Sequence, residues 1–180
     1  MLSLPDLLDN NGRHVKIANR SHRSSVKAGF YFANPRNRFW KALNACDFFH
    51  EPLEPSLASC NQLHQRYRIG LTDLVKRPTA GCKDLKAADY RAGSSRLQTI
   101  ITQHQPHTIW FHGKLTCQKY IQYSNDKSRI SRWGLQDWTI HNCPVFISPN
   151  PSPANAAYSL ADISDSYQTL LQTLNKPTAC

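Results

Sequence analysis

No stretch of this 180-residue chain stays apolar for long, and its strand-like runs end after about five residues. A membrane-spanning helix needs roughly 20 consecutive apolar residues, so no membrane association is expected. The opening MLSLPDLLDNNGR lacks the basic start and apolar centre of a secretory signal. The expected location is cytoplasmic, or nucleoid-associated if the source is bacterial. Metal-binding cysteine spacings are lacking too. The six cysteines, at 46, 60, 82, 117, 143 and 180, form no CxxC pair, and none stands beside a histidine in a zinc-like spacing. This argues against a structural zinc or an iron–sulfur cluster, and neither metal nor cofactor is expected. A secreted disulfide scaffold would be shorter and denser in cysteine; reduced, mostly buried thiols are the expectation. Repeats, low-complexity tracts and long linkers are missing as well. Residues 1–180 therefore read as one domain, its core over about 4–174, expected as a monomer.

Acidic residues are scarce in one region. Between Asn10 and Cys46 there are eight Lys or Arg and no Asp or Glu. Beyond Arg132 the balance reverses, with Lys176 against Asp137, Asp162 and Asp165. The whole chain carries a formal charge of +10. Clustered cations suit a polyanionic partner, because they displace counterions condensed on a phosphate backbone. The competing reading is a solvated basic face.

What is present is a recurring unit of short apolar strand, loop and amphipathic helix, in a chain that is 40% hydrophobic and 19% charged. Strands are expected at 14–18, 69–72, 108–111 and 143–147, with Pro144 near the start of the last. Asn37 can cap a helix that carries Phe39, Trp40 and Leu43 on one face. A helix over about 88–103 would bury Leu97, Ile100 and Ile101, and Gly113-Lys114 opens another. Ser159 and Asp162 begin the last helix in a capping-box pattern, and Ile163, Tyr167, Leu170, Leu171 and Leu174 form its apolar stripe. This alternation predicts an α/β protein with three layers, α/β/α, around a short central, mostly parallel four-stranded sheet.

Ligands in such sheets bind beyond the carboxyl ends of the strands. The polar loops Asn19–Asn34, Asp73–Thr79 and Ser148–Ala157 fall there. The third holds three prolines in five residues, Pro149, Pro151 and Pro153, which restrict the backbone before any ligand arrives. Alone, it could simply be a stiff connection into the last helix.

Four segments together resemble the Mug/thymine-DNA glycosylase branch of the uracil-DNA glycosylase superfamily. NPSPANA at 150–156 is similar to the second motif of that branch, and GFYFANPRNRFWKAL at 29–43 to the segment after its first. GLTDLVKRPTA at 70–80 and HGK at 112–114 resemble its strand ends, in the same order and at similar spacing. The likeness spans about residues 4–174. It implies an α/β/α fold, flipping of a target nucleotide out of the duplex, and hydrolysis of the N-glycosidic bond without a metal. The leaving base departs as an anion from an oxocarbenium-like sugar, so the site must position a water and stabilise charge.

The resemblance also implies roles. Phe32 matches the aromatic that stacks on the flipped base, although Phe30 and Phe32 could equally fill the core. Ser25 and Asn150 join Phe32 in base binding. Ser152, Pro153, Ala154 and Asn155 lie on the DNA-contacting tip, and Pro153–Asn155 match the wedge that fills the vacated stack. Arg23 and Lys114, with Arg36 and Arg38, are candidate phosphate contacts. The first motif departs from the pattern Gly-Ile-Asn-Pro-Gly/Ser, because this chain reads Ile17-Ala18-Asn19-Arg20-Ser21. Ungapped alignment from Gly29-Phe30 places Arg20 on the catalytic Asn position. One extra residue near Ser24 or Ser25 places Asn19 there instead. Asn19 is preferred, because an amide both donates to and accepts from water whereas guanidinium only donates.

Asp73 is the second catalytic candidate, since a carboxylate at the end of GLTD can take a proton from water or face the sugar cation. The plainer alternative pairs it with Lys76 or Arg77. The expected function is a monofunctional glycosylase in base-excision repair, hydrolysing uracil, or thymine and other deaminated bases, from mismatched DNA. Its expected partner is double-stranded DNA with G·U or G·T mismatches, or single-stranded DNA. The altered first motif supports an alternative, a glycosylase-fold module that binds DNA or lesions without turnover.

Overall fold

The computed structural model describes residues 3–8, 15–19 and 22–174; Val15–Asn19, Cys82 and Leu174 are described by their backbone. The strands are β1 (Val15–Asn19), β2 (Ile69–Asp73), β3 (Thr108–His112), β4 (Gly134–Ile140) and β5 (Cys143–Ser148). They form one sheet in the order β2-β1-β3-β5-β4. β1 pairs in parallel with β2 and β3, and β3 with β5. These are the four expected strands, each ending within a residue of its expected bound.

The expected count of four is corrected to five. β4 runs antiparallel to β5 at the sheet edge. Its inward positions are Gln136, Trp138 and Ile140, while Leu135 on the opposite face is exposed. An inward glutamine and an outward leucine blur the period-2 signal on which strand prediction depends. The β4–β5 turn, His141-Asn142, has positive φ at both residues (48° and 67°). That is the twist-matched two-residue hairpin geometry usually signalled by Asn-Gly.

Among the described residues six helices flank the sheet: α1 (Arg23–Ala28), α2 (Phe39–Asn44), α3 (Leu57–Gln65), α4 (Ala87–His104), α5 (Lys114–Ser124) and α6 (Leu160–Leu174). Along β3, Trp110 packs with Phe39, Leu63, Phe146 and Tyr167 in one core cluster. Its neighbours Ile109 and Phe111 pack with Leu97, Ile101, Tyr120 and Val145 in the other. Thus α2, α3 and α6 cover one face, α4 and α5 the other, as the α/β/α expectation required. Gly93 allows α4 to approach closely: a Cβ there would stand 2.0 Å from the Leu74 carbonyl oxygen.

Local chemistry explains most helix ends. The N-cap of α2 is Arg38 and not the expected Asn37, whose Oδ1 still accepts the Phe39 N–H at 2.9 Å from one residue further out. Ser159 and Asp162 form the expected reciprocal cap on α6. Ile163, Tyr167, Leu170 and Leu171 are buried in its stripe, while the Leu174 side chain lies outside what is described. Two helices went unanticipated. α1 lies inside what reads as loop, capped by His22 Nδ1 and closed by Gly29 at φ 80°. α3 begins at Ser56, whose hydroxyl accepts the Ser59 N–H. Cys46, Cys60, Cys117 and Cys143 are buried. No helix among the described residues is long and apolar enough to cross a membrane.

Candidate active site

A cavity of about 660 Å³ opens at the carboxyl ends of the parallel strands. Its lining brings together eight of the expected site residues: Ser25, Phe32, Asp73, Asn150, Ser152, Pro153, Ala154 and Asn155. They come from three separate parts of the chain. Asn19 ends β1 directly across the ladder from Asp73, so its backbone stands at the same sheet edge. Its side chain, and all of Arg20 and Ser21, lie outside the description.

Asp73 is buried, 1% exposed, at the last position of β2. The cations proposed as its plainer partners each form an ion pair with another acid. Lys76 pairs with Asp6 at 2.5 Å and Arg77 with Asp89 at 2.7 Å. The Arg77 bond holds the Asp89 carboxyl at a pKa of about 2. The Asp73 backbone carbonyl accepts from the Arg96 guanidinium. Tyr31, which also lines the cavity, has its phenol pKa pushed far up by burial, with the Asp73 and Asp6 charges adding to the effect.

Phe32 reconciles its two readings. It belongs to the core, 5% exposed, and its ring stacks on Phe39 with centroids 3.8 Å apart. It also lines the cavity, with its ring braced by Phe39. Its φ of 58° is unusual for an aromatic residue, and it lets the chain turn from α1 towards α2. Ser25 Oγ, buried beside it, accepts the Ala33 N–H at 3.4 Å.

Beneath Phe32 lies the histidine of the HGK segment. His112 is fully buried among Phe32, Phe39, Trp110 and Tyr167. Burial lowers its pKa to about 3, so it is neutral. Its Nδ1 is 3.2 Å from the Tyr167 hydroxyl, whereas its Nε2 has no hydrogen-bond partner among the described residues.

The loop after β5 is tied to itself. Asn150 Oδ1 accepts the Ser152 N–H at 2.9 Å, and Asn155 Nδ2 donates to the Asn150 carbonyl at 2.9 Å. Ser152 Oγ accepts the Ala154 N–H at 3.3 Å. With Oδ1 engaged in this Asx-turn, the Asn150 amide NH₂ is the group that can donate to a ligand. Gly113 makes room for Asn150: φ is 89°, and a Cβ would stand 3.2 Å from Asn150 Cβ.

The expected phosphate contacts separate into three groups. Arg23 is exposed and Arg36 lines the cavity. Lys114 lies away from the cavity lining, with its ammonium 4.7 Å from the centre of the Trp133 ring. Arg38 is corrected outright: its guanidinium turns inward onto the carbonyls of Ser152, Asn155 and Tyr158. The sequence also gave no hint of Leu4, which is buried and lines the cavity. Among the described residues, no group of three or more His, Cys, Asp or Glu could hold a metal ion.

The family model described as the uracil DNA glycosylase superfamily matches residues 8–175. The fold is similar to the solution NMR structure of a candidate uracil DNA glycosylase from Methanosarcina acetivorans. The TM-score is 0.60 and the identity 18%, covering 97% of this chain and 98% of that one.

Proposed function

The chain belongs to the uracil DNA glycosylase superfamily, and from that premise we propose a monofunctional DNA glycosylase of the Mug/thymine-DNA glycosylase branch. It excises uracil, with thymine and other deaminated bases as further substrates, from mismatched DNA. The observation that carries this reading is the convergence of Phe32, Asp73 and the 150–155 loop on one cavity. A flipped base entering there meets a ring braced by Phe39, and stacking contributes roughly 1–3 kcal/mol. The Asn150 amide donates to a base that gains negative charge as the glycosidic bond breaks. Asp73, buried across the ladder from Asn19, takes a proton from the attacking water or stabilises the sugar cation. Asn19 orients that water.

The tip at Pro153–Asn155 carries no bulky apolar or arginine wedge, so discrimination of the orphaned base is expected to be weak. Excision from G·U, A·U and single-stranded substrates tests this, and a strict G·U requirement would refute it. The test of the activity itself is strand scission after alkaline treatment of a uracil-containing oligonucleotide, for wild type, Asn19→Ala and Asp73→Ala. Scission by wild type with loss in either variant supports the reading. A second reading rests on the missing glycine and proline of the first motif, replaced by Ile17 or Ala18 and by Arg20. It is a module that binds DNA without turnover, and wild-type binding without scission would favour it.

A further inference from the structure

Arg38 sits one residue before α2, in the basic stretch where a phosphate contact was expected. Its guanidinium is instead half-buried against the loop after β5. One Nη donates to the Tyr158 carbonyl; the other donates to the Ser152 carbonyl at 3.1 Å and the Asn155 carbonyl at 2.7 Å. The Arg38 backbone N–H donates to the Pro151 carbonyl at 3.0 Å. One residue thus grips the loop at its entry, tip and exit. Loop carbonyls lack ladder partners, and a planar fork of five donors satisfies several at once in a way an ammonium cannot. The next residue, Phe39, stacks on Phe32. The two sides of the cavity are therefore set from adjacent positions in the chain.

We propose that Arg38 is a positioning residue that fixes the Ser152–Asn155 tip relative to Phe32. Rigidity thereby does the work a bulky wedge would do when a nucleotide leaves the stack. The inference rests on the glycosylase reading. A tip of proline, alanine and asparagine has little side chain to insert. It resists re-stacking only if its backbone cannot be pushed aside, and the Arg38 bonds restrain that backbone at four carbonyls. Where no stack must be opened, the restraint matters little.

The test compares wild type, Arg38→Met and Arg38→Lys in single-turnover excision from a G·U duplex and from single-stranded uracil DNA. Salt dependence of duplex binding and amide exchange over residues 151–158 complete it. Arg38→Met is expected to lose on the order of ten- to a hundredfold on the duplex and far less on the single strand. Arg38→Lys falls between. The salt slope stays at its wild-type value, and exchange rises in the loop but not in α4 or α6. Three results overturn the proposal: equal loss on both substrates, unchanged loop exchange, or a slope reduced by about 0.9, the mark of one lost phosphate contact. If Arg38→Met does not fold, Arg38→Lys carries the same comparison. If wild type cleaves neither substrate, the glycosylase reading fails, and loop exchange with the salt slope decides whether Arg38 holds the tip or meets phosphate.

Discussion

On the β5 side of the cavity the wall is held by neutral groups around one cation: prolines, an Asx-turn and loop carbonyls on Arg38. On the β2 side it is held by charges. Asp6 binds Lys76 at 2.5 Å and Arg96 at 2.7 Å, and it accepts from the Thr72 hydroxyl. Lys76 continues to the Leu4 carbonyl and the Tyr31 hydroxyl, so the segment bearing Leu4 is fastened over the end of β2. The difference suits the chemistry proposed for each wall. A tip that touches DNA benefits from stiffness insensitive to salt, whereas the partly exposed ion pairs of Asp6 with Lys76 and Arg96 weaken as salt rises.

The comparison breaks most sharply at Asp73. Asp73→Ala is expected to lower single-turnover excision by about 10²- to 10⁴-fold while leaving duplex affinity close to wild type. A similar loss in affinity would make Asp73 a binding group only. On the neutral wall, Gly113→Ala forces a side chain into positive φ and against Asn150. It should cost roughly 1–3 kcal/mol in urea unfolding and slow excision. Wild-type stability would show that the wall yields there.

A smaller effect is expected from Asp6→Ala, which leaves two partly buried cations without their carboxylate. About 1–2 kcal/mol is expected, tempered by partial exposure, with KM raised more than kcat falls as the Leu4 side loosens. Near neutral pH the smallest effect lies beneath both walls. His112 has its pKa lowered from 6.5 to about 3 by burial, so the unfolded chain binds its proton first. Stability from this residue is complete above about pH 6.5 and is lost as pH falls towards 3, by at most about 1.4 kcal/mol per pH unit. His112→Gln should flatten that part of the pH–stability curve. An unchanged slope would assign it to carboxylates.

The neutral wall was far more legible in the sequence than the charged one. Prolines and turn residues act locally, so the rigidity of 148–157 and its placement beyond a strand end could be read from neighbours. The four parallel strands and the α6 cap were legible for the same reason. What could not be read depends on distant partners. Arg38 meets carbonyls 114 to 120 positions away, and in sequence it is indistinguishable from the basic residues around it. Asp6 finds Thr72 and Arg96 at separations of 66 and 90. β4 was hidden because Gln136 faces inward and Leu135 outward. Asp73 was a candidate from its place after β2, but its burial and the pairing of Lys76 and Arg77 with other acids required the tertiary structure.

The most direct test of base excision at this cavity is release of free uracil from a G·U duplex under single-turnover conditions, by wild type and by Asp73→Asn. The account predicts stoichiometric release by wild type and a rate lower by about 10²-fold or more when the carboxylate charge is removed at constant shape. Duplex binding by wild type with no uracil released would contradict it.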